Sequence, residues 1–278
     1  GWLIGRTICY GPEDIANIYK LQNEMETKTL SVWLTGGEMP KGTYDPDKEG
    51  IPIMLAMKLS PNAYFERVNR LLNDNPAYSE DGELLSELAE LGIGAGCSFK
   101  SSLSPVDLEK FWQEMKDRLL PKLIEETSCF MVRNGNFKFY GDPISRFGTQ
   151  YGYRCLVAIA GFGANPVDVA VYLKAEEDNK GEKLDAKNRY LLHFNADGLP
   201  PVGKYGFWSI TAYGDDDFLI SNPIERYAIS NRNDFRLNDD NSLDLILQTE
   251  EPNENRENWL PVGERGFHLY LRIYRPDN

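Results

Sequence analysis

Three consecutive aspartates, Asp215–Asp217, are the first group in this sequence that could do chemistry. Carboxylates are preferred ligands of calcium and magnesium, so a metal site is the first hypothesis. A calcium loop, however, alternates its ligands and supplies a glutamate further along, and that pattern is missing here. The aspartates follow Gly214 and separate two apolar runs, as the residues of a tight turn do. The sequence therefore predicts a turn at this position and no metal site.

Nucleophilic catalysis is the second chemistry to consider. A serine hydrolase of the α/β type needs a G-x-S-x-G pentapeptide at a strand-to-helix turn, and the sequence contains none. A triad assembled without a motif around His193 or His268 stays open as an alternative. The four cysteines lack the spacing of metal ligands and require no disulfide. They are Cys9, Cys97, Cys129 and Cys155.

Arginines beside tyrosines form the candidate ligand-binding set. Guanidinium groups bind anions through paired hydrogen bonds and stack on aromatic rings, so such clusters suit an anion, a sugar or an aromatic ligand. The alternative is structural, with the arginine stems covering sheet surface and the charges paired or in water. The candidate residues are Arg154, Arg226, Arg272, Tyr227, Tyr270 and Tyr274.

Composition limits the partners that this chain could have. Its 278 residues carry a net charge of −13, which predicts no nucleic-acid binding, because that needs a concentrated positive surface. The longest apolar run is about half of the ~18 residues that a membrane helix requires. The glycine-rich stretch at residues 92–100 follows a helix signal rather than a strand, so we interpret Gly92 as a helix C-cap. We expect no metal and no organic cofactor.

The elements that must position these residues change in character along the chain. Ser60-Pro61 and Ser104-Pro105 each place a capping serine before a proline, as at the start of a helix. Pro121 is expected to kink or divide the second of these helices. Residues 2–10 are strand-like and begin without a methionine, so we expect a fragment of a longer chain.

From about Phe130 onward, the apolar period becomes that of strands. The run Tyr153 to Ala160 fits either a buried strand or a helix. Later segments alternate every second residue and are separated by turn residues. The residues predicted to face the core are Leu243, Leu245, Leu247, Phe267, Leu269, Leu271 and Ile273. We therefore predict an α+β, mainly β protein, an antiparallel jelly-roll-like β-sandwich with a helical insert.

Several whole phrases carry a family resemblance. "LPPVGKYGFWSITAYGDDDFLISNPIERYAI" and "NWLPVGERGFHLYLRIYRP" resemble the C-terminal domain called domain of unknown function 1214. Upstream, "WLIGRTICYGPEDIANIYKLQ" is similar to the end of its usual partner, domain of unknown function 1254. The resemblance implies two jelly-roll-like domains, with most of the first absent here, and a helix at Tyr153 to Ala160. It supplies no established reaction and favours a periplasmic or secreted location.

The resemblance also implies a division into three parts. Residues 1–45 would be the tail end of the first domain, residues 46–130 a helical connecting region, and residues 131–278 the C-terminal sandwich. The predicted function is a small-molecule or glycan binding or structural module, with the ligand in a pocket between the domains. The alternatives are a motif-free, esterase-like hydrolase and a self-assembling jelly-roll subunit. The partners to expect are the missing N-terminal part, a small ligand, a second copy of the chain, and neither nucleic acid nor membrane.

Overall fold

The chain folds into a mixture of helices and open sheets, seen here in a computed structural model that describes residues 5–39, 41–42 and 52–277. Helices account for 33% and strands for 23%, and all strand pairs but one are antiparallel. The α+β class is confirmed, although helix exceeds strand, contrary to the expectation of a mainly β chain. The chain divides into two compact units, Gly1–Ile51 and Pro52–Asn278.

The first unit is helical in its described part. A short 3-10 turn, Pro12–Asp14, leads into α1 (Ile15–Glu24), and α2 (Leu30–Thr35) follows. The strand expected over residues 2–10 is wrong for residues 5–10, and residues 1–4 lie outside the described residues. The described residues of this unit contain no strand with which that segment could pair, and an unpaired strand leaves its backbone groups unsatisfied. The boundary predicted between residues 45 and 46 also lies outside the described residues.

The second unit begins with helices whose ends follow their sequence signals. Ser60 and Ser104 accept hydrogen bonds from the backbone N–H groups of Ala63 and Asp107, which confirms both caps. Gly92 has a φ of 73° and ends the segment after α5, as expected of a C-cap. The helices are α3 (Pro52–Met57), α4 (Pro61–Asp74), α5 (Gly82–Ala89), α6 (Pro105–Glu114), α7 (Leu120–Glu126) and α8 (Tyr151–Ala160).

Two uncertain helical segments are resolved by the structure. Between α6 and α7 the chain forms a π-helical turn, Met115–Leu119, directly before Pro121. Proline has no N–H to donate to the preceding turn, so the predicted division occurs there. The run Tyr153 to Ala160 belongs to α8, where Tyr153 is 1% exposed and stacks on Phe130. The helix that the resemblance implied is thus confirmed.

Nine strands form two sheets in the described part of the second unit. The larger sheet has the order β1-β2-β3-β9-β5-β6 and the smaller one the order β4-β7-β8. The strands of the larger sheet are β1 (Met131–Asn134), β2 (Phe137–Tyr140), β3 (Ala170–Ala175), β5 (Val202–Gly214), β6 (Ala228–Ser230) and β9 (Phe267–Pro276). Those of the smaller sheet are β4 (Tyr190–Phe194), β7 (Leu243–Gln248) and β8 (Trp259–Pro261).

Both sheets contribute to one hydrophobic core. Aromatic rings meet from opposite sheets, with Tyr190 and Phe267 at 5.7 Å and Phe194 and Trp208 at 6.0 Å between ring centroids. The five leucines predicted to be internal are between 0% and 5% exposed, which confirms their orientation. They are Leu243, Leu245, Leu247, Leu269 and Leu271. The jelly-roll connection of these strands stays a prediction.

The three aspartates lie in a turn, as predicted. Asp217 donates its backbone N–H to the carbonyl of Gly214 at 3.0 Å, and Tyr213 bridges to Leu219 across the turn. Within residues 5–39, 41–42 and 52–277, His, Cys, Asp and Glu side chains form no group of three that could hold a metal ion. None of the described helices combines the length and apolar character needed to cross a bilayer.

Candidate functional site

The outer surface of the larger sheet carries a row of aromatic and charged side chains. Because side chains alternate along a strand, burying Leu269 and Leu271 turns the residues between them outward. The register places partners from β3 and β5 on either side of β9. We call this surface the aromatic face, and its residues are Tyr172, Lys174, Phe207, Tyr213, His268, Tyr270, Arg272 and Tyr274.

Arg272 lies at the centre of the aromatic face. Its guanidinium lies 5.0 Å from the ring centroid of Tyr270 and 5.3 Å from that of Tyr213, and Nη2 donates to the Tyr213 hydroxyl at 3.0 Å. In the part of the chain that the structure describes, it forms no ion pair with a carboxylate within 4.0 Å. The partly buried guanidinium of Arg272 thus contacts two aromatic rings, and no carboxylate of the described residues forms an ion pair with it.

Lys174 shows the opposite arrangement on the same face. Its Nζ lies 2.9 Å from Glu176 Oε1, and this hydrogen bond holds the pKa of the Glu176 carboxyl below its usual range. The ammonium also lies 5.8 Å from the ring centroid of Tyr270. Because its charge is already paired, Lys174 contributes less than Arg272 to any attraction for an anion.

His268 is the buried member of the aromatic face. It is 6% exposed, stacks on Tyr213 and meets the edge of Tyr270. Its Nε2 lies 3.1 Å from Asp217 Oδ1, but the geometry is not that of a hydrogen bond. Burial, and then the nearby Lys174 charge, lower the pKa of His268, so the imidazole is neutral at pH 7.

Arg154, another of the predicted ligand-binding residues, lies on α8 and not on the aromatic face. Its Nη1 is 3.0 Å from both carboxylate oxygens of Asp81, and Nη2 donates to the carbonyl of Gly148. Asp81 is 7% exposed, and the hydrogen bond from Arg154 lowers the pKa of its carboxyl. The pair therefore ties α8 to the start of α5.

Arg226 and Tyr227 lie in the loop before β6. Arg226 Nη1 donates to the backbone carbonyls of Arg256 and Trp259, each at 2.9 Å, and so fastens this loop to the smaller sheet. Neighbouring Asn258 is 1% exposed and bonds to the backbone of Arg236 on both its amide atoms. Of the six predicted residues, the structure brings Arg272, Tyr270 and Tyr274 together and places the other three elsewhere.

His193 lies on the outer face of the smaller sheet in a network of short hydrogen bonds. Its Nδ1 is 2.6 Å from Asp244 Oδ1 and its Nε2 is 3.2 Å from Asn195 Oδ1. Hydrogen bonding to Asp244 raises the pKa of His193, since a protonated ring donates at both nitrogens. Ser242 donates its hydroxyl to Asp240 at 2.6 Å. His193 Nε2 therefore faces an amide oxygen rather than a nucleophile.

A cavity of about 670 Å³ opens at one end of the two sheets, a site that the sequence did not indicate. Its walls are the β1–β2 hairpin, the loop at residues 177–184 and strand β4, with core residues Leu247 and Leu269 at its floor. We call it the end cavity. The β1–β2 hairpin is about forty residues from the loop at residues 177–184, and both carry turn glycines, Gly135 and Gly181.

Comparison with known proteins gives one matching family and supports the fold. Residues 169–278 match the family described as "Protein of unknown function (DUF1214)", a span that holds the aromatic face. No curated protein matches the chain. The similarity to domain 1254 and the absence of most of a first domain stay predictions.

Two solved structures resemble this chain. The VPA0106 protein from Vibrio parahaemolyticus has a TM-score of 0.68 and 24% identity over 97% of this chain. This chain spans 63% of the length of that protein. An uncharacterised protein from Burkholderia cenocepacia has a TM-score of 0.31 and 14% identity, over 64% of this chain and 40% of its own. The similarity to the VPA0106 protein is a similarity of fold.

Proposed function

We propose that this protein is a binding module for a small anionic ligand with a planar or sugar-like body, held on the aromatic face. The observation that carries the proposal is Arg272, a partly buried guanidinium between the rings of Tyr270 and Tyr213 without a carboxylate partner in the described residues. Such a group offers a carboxylate or sulfate two parallel hydrogen bonds.

The surroundings of Arg272 favour an anion with a flat body. Guanidinium is weakly hydrated, so its partial burial between rings leaves a charge that a ligand can meet at a small desolvation cost. Tyr274 stacks on Phe207 at 4.7 Å between ring centroids, which extends the aromatic surface along β9. The acids near this face, Glu176 and Asp217, lie against Lys174 and His268, and neither forms an ion pair with Arg272.

The finer architecture is part of the same proposal. We infer that the two sheets are joined as a jelly-roll-like β-sandwich, preceded by a helical connecting region and by the end of a first domain. The core that both sheets share supports this inference. A ligand pocket between domains, and roles for Arg154, Arg226 and Tyr227 in it, stay predictions.

The two other functions carry less support. An esterase built on His193 needs a nucleophile at Nε2, whereas that atom lies 3.2 Å from Asn195 Oδ1. His268 is 6% exposed, which restricts its access to a substrate. A self-assembling subunit rests on analogy of fold. Binding at Arg272 is therefore the function that the geometry favours.

Calorimetric titration of naphthalene-2-carboxylate tests the proposal, with the neutral naphthalene-2-methanol as its isostere. We expect the carboxylate to bind more tightly, and Arg272→Gln to weaken it about tenfold, since hydrogen bonds to a charged group contribute about 1.5–3 kcal/mol. Naphthalene-2-methanol should bind with the same affinity to Arg272→Gln and to the unsubstituted protein. Arg133→Gln, at an exposed arginine on β1, is the matched control and should leave binding unchanged. Equal carboxylate affinity in folded Arg272→Gln and in the unsubstituted protein would overturn the proposal.

A further inference from the structure

The end cavity is separate from the aromatic face. Its floor includes Leu247 of β7 and Leu269 of β9, whose side chains point into the core between the sheets. The aromatic face lies on the opposite side of β9, because neighbouring residues on a strand point to opposite sides. A ligand in the cavity would therefore contact the end of the hydrophobic core, and Arg272 would not take part.

The size and the apolar lining residues of the end cavity suit a small molecule with an apolar part. Its volume of about 670 Å³ lies within the range of roughly 300–1,000 Å³ found for ligand sites. Phe137, Tyr190 and Leu192 are partly exposed lining residues and offer a ligand apolar surface, whereas Leu247 and Leu269 beside them are only 2% and 3% exposed. An alkyl group placed there would gain about 25 cal/mol for each Å² of apolar surface removed from water.

The rim of the cavity offers amide groups and no excess of positive charge. The side chains of Asn134 and Asn179 make no hydrogen bond to the described residues, so their donors and acceptors are available to a ligand. The charged lining residues are three acids and two bases, namely Glu177, Asp178, Glu182, Lys180 and Arg189. Because this mixture has no excess of cations, it does not favour an anion. Neutral hydroxyl groups are the ligand chemistry that fits.

The walls of the cavity are held in place before any ligand arrives. Asn136 Nδ2 donates to the carbonyl of Glu177 at 2.9 Å and so ties the hairpin to the opposite loop. Asp178 Oδ1 accepts from the backbone N–H groups of Lys180 and Glu182, at 2.8 Å and 3.0 Å, which fixes that loop. A site fixed in this way loses little conformational entropy on binding.

We propose that the end cavity is a second binding site, for a neutral molecule that combines an apolar chain with several hydroxyl groups, of the alkyl glycoside class. The apolar chain lies against Phe137, Tyr190 and Leu192, and the hydroxyl groups bond to the amides of Asn134 and Asn179. The site is independent of the proposed anion site, so either can fail without the other.

Isothermal titration with octyl β-D-glucopyranoside below its micelle concentration tests this site on the full chain. We expect one molecule to bind per chain, at least tenfold more tightly than glucose, which lacks the chain, and than octanoate, which is charged. Asn179→Trp, which fills the mouth, should weaken binding at least tenfold, and Asn134→Ala about threefold. Asn253→Trp, in an exposed loop outside the cavity, is the matched control and should bind as the unsubstituted protein does.

The same titrations contain the results that would overturn the site. Undiminished binding of octyl glucoside by folded Asn179→Trp would remove the site, and glucose of equal affinity would remove the role of the apolar lining residues. Octanoate of equal or higher affinity would overturn the neutral ligand class. Naphthalene-2-carboxylate binding should be the same in Asn179→Trp and in the unsubstituted protein, which separates this site from the aromatic face.

Discussion

The outer faces of the two sheets contain the two histidines of the chain in opposite surroundings. On the smaller sheet, His193 is exposed and its ring nitrogens lie within hydrogen-bonding distance of Asp244 and Asn195. On the larger sheet, His268 is buried between two tyrosines, and its Nε2 has no hydrogen bond in the described residues. The first environment favours the charged ring and the second the neutral ring.

The difference extends to the residues around each histidine. In the network around His193, Asp244 also accepts from Asn238 at 3.0 Å, so the polar groups satisfy one another. On the aromatic face, Arg272 retains a charge that no carboxylate of the described residues pairs. The two sheet surfaces thus differ in what they can bind, because hydrogen bonds within the first satisfy its polar groups, whereas Arg272 on the second has no carboxylate partner.

A substitution that forces apart the backbones of β5 and β9 beneath the aromatic face should have the largest effect on stability. A Cβ at Gly206 would lie 2.6 Å from the carbonyl oxygen of Tyr274 and 2.8 Å from that of Arg275, at the irregular register between β5 and β9. We expect Gly206→Ala to lower the free energy of unfolding by about 2–3 kcal/mol, because a backbone clash cannot relax through a side chain. Urea denaturation measures this change.

Gly203→Ala is the matched control on the same strand. Its added Cβ would meet its nearest atom, the carbonyl oxygen of Arg275, at 3.6 Å, which is an ordinary contact. The free energy of unfolding should change by less than about 1 kcal/mol. Equal losses in the two variants would show that the close approach at Gly206 does not hold β5 against β9.

Titrating His268 should give the next largest effect. Burial and Lys174 lower its pKa in the folded protein, while Asp217, Glu176 and Asp215 oppose them. As pH falls, the unfolded chain therefore takes up the proton first. The stability contributed by the neutral His268 ring is complete above about pH 6.5 and is lost as pH falls through the lower folded pKa. Relative to His268→Gln, the unsubstituted protein should lose stability between pH 7 and pH 5. A constant difference over that range would contradict the buried, neutral ring.

Titrating His193 should give the smallest effect, with the opposite sign. Asp244 raises the pKa of His193. The stability contributed by the protonated His193 ring is therefore present below about pH 6.5 and is lost as pH rises through the raised folded pKa. The same hydrogen bond lowers the pKa of Asp244, which stays ionised at mildly acidic pH. Thermal unfolding of His193→Gln should show a deficit at pH 6 that shrinks by pH 8. A deficit that grows over this interval would reverse the comparison of the two histidines.

Much of the local structure was predictable because its cause is local. The turn at Asp217 and the caps at Ser60 and Ser104 each depend on residues within four positions of one another. The alternation around Leu245 and Leu271 identified the core side of two strands before their partners were known. Residues 5–10 were predicted as a strand from their composition but do not form one, because composition alone cannot provide a neighbouring strand to pair with.

The candidate sites were predictable only in part. Tyr270, Arg272 and Tyr274 share a strand, so their common face followed from a period of two. Arg154 and Arg226 have the same aromatic neighbours in sequence, but Asp81 and the carbonyls of Arg256 and Trp259 engage them in space. A nearby tyrosine in sequence therefore does not predict whether other groups of the chain already bind an arginine.

The sequence by itself determined which residues turn, cap and alternate, and thus that Leu269 and Leu271 face inward while Arg272 faces outward. Tertiary structure alone decided that Arg272 lacks a carboxylate partner among the described residues, which histidine is buried, and that the β1–β2 hairpin meets the loop at residues 177–184 at the end cavity. The physical reason is the range of the interactions. Backbone dihedral preferences and side-chain periodicity act over a few residues, whereas burial and charge pairing depend on residues that the chain brings together from tens of positions away.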